Sequence, residues 1–415
     1  MRQTRRTAIA TVLLTATALA SATACSSGST AQGSSDQGTF TFWDPYPQFD
    51  ASSDWGKRVA SCGTPAGVTV KRTALDTTDL GNKALLAAQQ GDSPDVMLVD
   101  NPVVSTLVEA GILTKMSDLG VDTSSVQQNI IGAGTIDGAA YGLPIGANTL
   151  ALYYNKSVLD AAGVDPASVT NWDSLNAALA KVKAAGKKGI TFSAIGTEEG
   201  SFQFLPWFWG AGGDLTHLNG SGGVDALSLW KGWVADGYAP NDVLSNTQTT
   251  SWQEFATGQY AFGENGTWQL ANAAKAGFPY GVITIPAKDG GPAPAPTGGE
   301  FVTVPVQKDT ARYAVTKQIV SCLTNAANLL GTDTALSYIA PTQAVQAQQT
   351  RADSALTPWV SAVAAARGRT SNGLGVKYPV ISQQMWTAVQ GALSGSQGPQ
   401  AALAAAQNAA ANHQG

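Results

Sequence analysis

Charge is scarce in this chain of 415 residues, with Asp, Glu, Lys and Arg making up 13%, about half the usual share. The 24 basic residues face 29 acidic ones for a formal net charge of −5. No positive stripe is left to track a phosphate backbone, which argues against a nucleic-acid binder. Histidine is scarcer still, at two. One of them, His413, lies near the chain end, so a His-built metal site or a Ser-His-Asp triad would rest on His217 alone. Hydrolysis of the common kinds is therefore disfavoured, and neither a metal nor a cofactor is expected. No apolar run reaches the about 20 residues that a membrane-spanning helix needs. Apolar and aromatic residues are plentiful, at 44% hydrophobic with 11 Trp, enough for large cores in two or three domains at roughly 100 to 200 residues each.

The first 24 residues read as a secretory leader, because Arg2, Arg5 and Arg6 precede a short apolar run that ends in small residues. Its close, Ala22-Thr23-Ala24-Cys25, resembles a bacterial lipobox, in which the Cys receives lipid and becomes the new N-terminus; Ala22 stands where Leu is usual. Residues 25–37, rich in Ser and Gly, read as a flexible tether of the kind that spaces a domain from a surface. Loss of the leader removes three basic residues, leaving 21 against 29 acidic. With Cys25 assigned to lipid, Cys62 and Cys322 remain as an even pair in an oxidising compartment. A disulfide between them competes with two buried free thiols.

Beyond the tether the chain alternates short β-rich runs with helical patterns. Thr39–Trp43, Val68–Arg72 and Asp95–Asp100 read as strands, with helices near Asp54–Cys62 and Asp79–Gln90 between them. That order predicts an α/β fold with mainly parallel sheets flanked by helices, whose ligands sit at the carboxyl ends of the strands. Trp43, Asp44, Asp100 and Asn101 are then the first site candidates, with strand-ending turn chemistry as the other role. Further helices are predicted at Asn171–Lys183 and Val224–Asp236, and Ala/Gln-rich helices close the chain.

Several stretches along residues 39–410 together resemble a family 1 extracellular solute-binding protein, the maltose-binding-like receptors of carbohydrate ABC importers. They are Gly91-Asp-Ser-Pro-Asp-Val-Met-Leu-Val-Asp100, Gly138-Ala-Ala-Tyr-Gly-Leu-Pro144 running into Leu152-Tyr-Tyr-Asn-Lys156, Phe255-Ala-Thr-Gly-Gln-Tyr-Ala-Phe262 with Gly266-Thr-Trp268, and the helix around Trp386 with Ala392-Leu-Ser-Gly395. The resemblance implies two α/β lobes around a cleft, joined by three hinge crossings near 144–149, 298–302 and 332–342. One lobe would take 38–147 with 302–335, the other 148–301 with 336–412. It also implies a monomer without catalytic residues that takes a sugar or short oligosaccharide and hands it to the membrane subunits of an importer, anchored outside the cell membrane through Cys25.

A pyranose offers a flat C–H face and a rim of hydroxyls, which aromatic rings and carboxylates or amides respectively receive. Ser201–Gly210 packs four aromatics and Gln203 into ten residues just after Glu198 and Glu199, so one of Trp207 and Trp209 is expected to face the cleft, with Glu199 beside it. Trp268 matches the family's stacking aromatic, and Glu264 and Asn265 precede it. Gly299 and Glu300 fall at the second crossing, and Asn148 at the first. Tyr46 and Gln48 follow Asp44, and Arg369 with Asn372 is a late candidate. Trp172, Trp230, Trp233 and Trp386 lie in helical patterns and are assigned to the core. Two rivals remain: a receptor of the same fold for a polyamine or peptide, and a secreted glycoside hydrolase, which would need two carboxylates about 5 to 9.5 Å apart.

Overall fold

The computed structural model describes residues 38–371 and 373–412, without the side chain of Thr78. Cys25, the leader, the tether, Asn372 and His413 lie outside the described residues.

Among the described residues eleven strands form two sheets and a small hairpin: β1 Thr39–Asp44, β2 Thr69–Ala74, β3 Val96–Asp100, β4 Thr135–Ile136, β5 Ala139–Ala140, β6 Gly142–Pro144, β7 Leu150–Asn155, β8 Lys188–Thr191, β9 Tyr260–Gly266, β10 Tyr280–Ile283 and β11 Glu300–Thr303. The first sheet has the order β2-β1-β3-β11-β6 and the second β10-β7-β9-β8, with β4 and β5 paired apart. Within the first sheet only β11 runs against the other strands, and within the second only β7. Both are the strands that follow a passage from one sheet to the other. A strand entering from the cleft begins where its neighbours end, so it must run opposite to them. Within the two main sheets the predicted parallel sense thus holds for every strand except these two, and the small β4–β5 hairpin is antiparallel.

Local chemistry sets the elements. In β1, Phe40, Phe42 and Asp44 turn inward while Thr39, Thr41 and Trp43 are less covered, the period of two that a one-sided strand requires. Ser53 caps the helix Asp54–Ser61 by accepting from the amide of Gly56, and Asn171 with Ser174 forms a reciprocal capping box on Trp172–Ala184. Helix Glu198–Gly210 carries its aromatics on all sides and is buried from Gly200 to Trp209, as an all-round apolar helix must be.

Each sheet has its own core. Phe40, Phe42, Trp55, Val59, Leu98, Val302 and Ile319 pack about the first sheet. Leu152, Phe192, Phe204, Trp207, Trp230 and Met385 pack beside the second, which also receives Leu403 from the last helix, Pro399–Asn412. Trp172, Trp230 and Trp233 are buried as expected, whereas Trp386 is only half-buried on its helix. Cys62 and Cys322 are joined in a disulfide with their Cα atoms 5.5 Å apart, stapling two helices of the first lobe across 260 residues of sequence.

Between the lobes three chain segments lie side by side. Ala147 and Ile339 exchange backbone hydrogen bonds of 2.7 and 2.8 Å, and Asn148 and Gly298 exchange bonds of 3.1 and 2.9 Å.

Candidate functional site

A cleft of about 490 Å³ opens where the carboxyl ends of β1, β2 and β3 meet the second sheet. Gln48 follows β1, Asp76 and Thr77 follow β2, and Asp100 ends β3. From the other side come Asn148, just ahead of β7, Trp268, just past β9, and the first turns of helices Glu198–Gly210 and Gln248–Ala256. Gly298, Gly299, Glu300 and Tyr338 floor the space between. Surface hollows of about 730, 850 and 770 Å³ occur elsewhere, but none is lined by strand ends of both sheets.

Arg369, 2% exposed at its side chain, ties the two walls together. One terminal nitrogen donates to Glu198 at 2.7 Å, and the other to Asp100 at 3.0 Å and to Asn101 at 3.1 Å. Its guanidinium also lies 4.8 Å from the centre of the Phe202 ring. Burial works against the charge, but the carboxylates of Asp100 and Glu198 outweigh it and hold the pKa above the ordinary arginine value. Glu198 additionally accepts from the hydroxyls of Tyr378, at 2.6 Å, and Ser382. This constellation supports the wall, and it binds Glu198 more fully than its neighbour Glu199. Glu199 accepts the amide of Gln248 at 2.8 Å, joining the starts of the two helices.

On the floor, Glu300 accepts from Tyr46 at 2.6 Å and Tyr338 at 3.4 Å. Burial, then the negative charge of Asp100, push its pKa up to about 7, with the tyrosine hydrogen bonds opposing. Asn148 is 6% exposed, and its side-chain oxygen has no partner. Two glycines make this floor feasible. A Cβ on Gly298 would come within 2.0 Å of that asparagine oxygen, and Gly299 adopts φ +113° with its would-be Cβ 2.5 Å from the Gly146 carbonyl. Trp268 is half-buried, touches the cores of both lobes, and stands 6.3 Å from Phe202 ring to ring.

Of the residues selected from sequence, Gln48, Asp100, Asn148, Glu199, Trp268, Gly299, Glu300 and Arg369 line this cleft together. Others lie elsewhere. Trp207 is fully buried and donates to Glu264 at 2.8 Å inside the second lobe, and Trp209 is 5% exposed in the same core. Neither faces the cleft, because eight residues of helix at 1.5 Å rise carry Trp207 roughly 12 Å beyond Glu199. Glu264 is therefore an internal carboxyl, its pKa driven well up by burial with only the Trp207 bond opposing. Gln203 is spent on the Ser193 amide and the Glu264 carbonyl, and Asn265 on the Gln248 carbonyl and the Gly266 amide.

In the first lobe, Asp44 is wholly buried, paired with Arg72 and accepting from the Trp55 indole at 3.3 Å and the Tyr46 amide at 3.0 Å. It anchors the turn after β1. Tyr46 stands behind Glu300, and Asn101 behind Arg369, with its amide on the Thr297 carbonyl at 3.0 Å. Trp43 is half-buried against the core formed by Met97, Val99 and Phe301. Sequence reasoning missed Phe202, Tyr338 and Gln248. Phe202 was within reach: it follows Glu198 and Glu199 by one helical turn, so it shares their face.

A hinge-like floor between two α/β lobes, with polar groups and an aromatic ring converging from both, defines a binding protein that holds a small solute. Residues 57–368 match the model of the bacterial extracellular solute-binding protein, and the chain belongs to that family and to its extracytoplasmic setting. A binding protein of Brucella abortus (strain 2308) is 27% identical over 233 residues, 53% of this chain and 56% of the relative. Maltodextrin-binding protein MdxE of Bacillus subtilis (strain 168) is 26% identical over 256 residues, 56% of this chain and 57% of the relative. The chain thus matches little more than half the length of these curated relatives. Among solved structures, the GacH receptor of Streptomyces glaucescens GLA.O, determined unliganded and with acarbose, is 26% identical with a TM-score of 0.75, covering 90% of this chain and 97% of that one.

Proposed function

We propose that this protein is a receptor that captures a sugar or short oligosaccharide in the interlobe cleft and delivers it to an ABC importer. The observation that carries the reading is Trp268: an indole standing free enough to stack on a pyranose face, ringed by carboxylates and amides from both lobes. A ligand shifts an open–closed equilibrium only by its differential affinity for the two states, so contacts on both walls are what favour closure. The names of MdxE and of the acarbose-bound GacH receptor support the same class of solute. We further propose that residues 38–147 with 302–335 and 148–301 with 336–412 move as the two lobes, and that Cys25 carries the lipid anchor of a monomeric receptor.

A thermal-shift panel of mono- and oligosaccharides tests the reading. A true ligand at a hundredfold excess over Kd stabilises the fold by about 2.7 kcal/mol. A panel in which no sugar raises the melting temperature, while an acyclic amine or peptide does, rejects it. Release of new reducing ends from a bound glycan would reject the receptor role in favour of a hydrolase.

A further inference from the structure

Among the described residues that line the cleft, carboxylates outnumber cationic groups. Asp100, Glu198, Glu199 and Glu300 share it with the guanidinium of Arg369. That guanidinium is already committed, one nitrogen to Glu198 and one to Asp100 and Asn101. Among the described residues no cation contacts Glu300: the groups about it are the Tyr46 hydroxyl from the turn after β1, the Tyr338 hydroxyl from the third crossing, and the carboxylate of Asp100 at the end of β3. In the same cleft, next to Gly298, the Asn148 side-chain oxygen, in a residue 94% buried, lacks any donor.

A neutral sugar presents hydroxyls that donate and accept alike, and a lining with donors and acceptors in balance would serve it. This lining is different. Excess negative charge in a confined space makes the local potential strongly negative and is costly until a counter-charge enters, and the unpartnered atom at the floor is an acceptor that seeks N–H or O–H. The half-buried Trp268 adds a π face of the kind that attracts ammonium groups.

Taking the carbohydrate-receptor reading as its basis, we infer that the solute carries a protonated amine, as an amino sugar does, and that this group sits over Glu300 and the Asn148 oxygen. Glu300 is the specificity-determining residue in this arrangement, and Trp268 receives the ring.

Matched probes decide the matter. Calorimetric titrations of the full mature chain would compare glucosamine with glucose and N-acetylglucosamine, and the β-1,4-linked glucosamine disaccharide with its glucose and N-acetylated counterparts. The amine form is expected to bind at least about tenfold more tightly than either neutral partner, and that preference should shrink between about 0.05 and 0.5 M salt. Glu300→Gln retains hydrogen-bonding capacity towards Tyr46 and Tyr338, and should weaken the amine probes by at least about tenfold more than their neutral partners, erasing most of the preference. The salt series on the unaltered protein keeps the test valid if the variant folds poorly. An amine probe that never outbinds its neutral partner, whether both bind or neither does, overturns the inference. If neutral sugars bind well, the receptor reading survives that failure. If spermidine binds and no sugar does, the receptor reading fails instead.

Discussion

The two lobes share an architecture but are held together by different means. The first lobe relies on a covalent staple and buried ion pairs: Cys62–Cys322 on its outer helices, Arg72 on the fully buried Asp44, and Arg312 on Asp95, whose side chain is 4% exposed. The second relies on ring packing. Trp207 meets Trp233 edge-on at 4.9 Å, Phe192 lies 4.1 Å from Trp230, and Trp172 stands 6.4 Å from Trp207. Among the described residues, its ion pair away from the cleft is the exposed Lys288–Asp225 contact, of a kind worth little. Aromatic density in this chain therefore marks the core of one lobe more than it marks the ligand.

The comparison breaks most visibly at the staple. Replacing Cys62 and Cys322 by Ser frees a loop of 260 residues, for which chain entropy sets a loss of up to roughly 5 kcal/mol. Amide exchange should accelerate at Val59 and Ile319 in the first lobe well before it does at Leu227 in the second. Equal acceleration in both lobes would mean that the staple serves the whole molecule and that the two lobes are not stabilised independently.

Tryptophans sharpen it next. Trp207→Ala should cost about 3 to 5 kcal/mol of stability, as a large core truncation does, and it also strips Glu264 of its hydrogen-bond donor. Its effect on ligand affinity should be small. Trp268→Ala should show the opposite pattern, losing about 2 to 4 kcal/mol of binding with a lesser change in melting temperature. Calorimetric titration and thermal melts of the pair decide it, and unchanged affinity in Trp268→Ala would displace the site.

These two residues also show where sequence was informative. The strand and helix alternation was legible because burial on one face imposes a period, and the observed β1, β2 and β3 fall within two residues of the expected runs. Trp268 was legible through a short motif tied to a strand end. Trp207 and Trp209 misled because composition counts rings without direction, and a helix turns and advances with every residue. Asp44 misled for a related reason: a strand-end carboxylate looks the same in sequence whether it meets solvent or Arg72, 28 residues later. Tyr338 carried no local signal at all, since its place on the floor arises from the third passage of the chain between lobes.

That passage holds the smallest effect, and it belongs to neither lobe's means of stabilisation. Asp333, in the helix Ala326–Leu336 just before Tyr338, is 1% exposed, and neither carboxylate oxygen has a partner. One of them lies 2.3 Å from where a Cβ on Gly146 would stand, so the glycine of the first crossing leaves the room that the carboxyl occupies. Burial alone drives its pKa well above the ordinary value. A raised pKa means that the folded state holds a proton which the unfolded chain releases. The stability it contributes is complete below the ordinary carboxyl range and is lost as pH rises through the folded value. Asp333→Asn removes the titration while keeping the shape. It should therefore raise the melting temperature by a few degrees near neutral pH, with an advantage that shrinks steadily as the pH is lowered towards 4. Melts of parent and variant across that range test the sign. An advantage independent of pH would show that Asp333 is not a buried, uncompensated acid between the crossings.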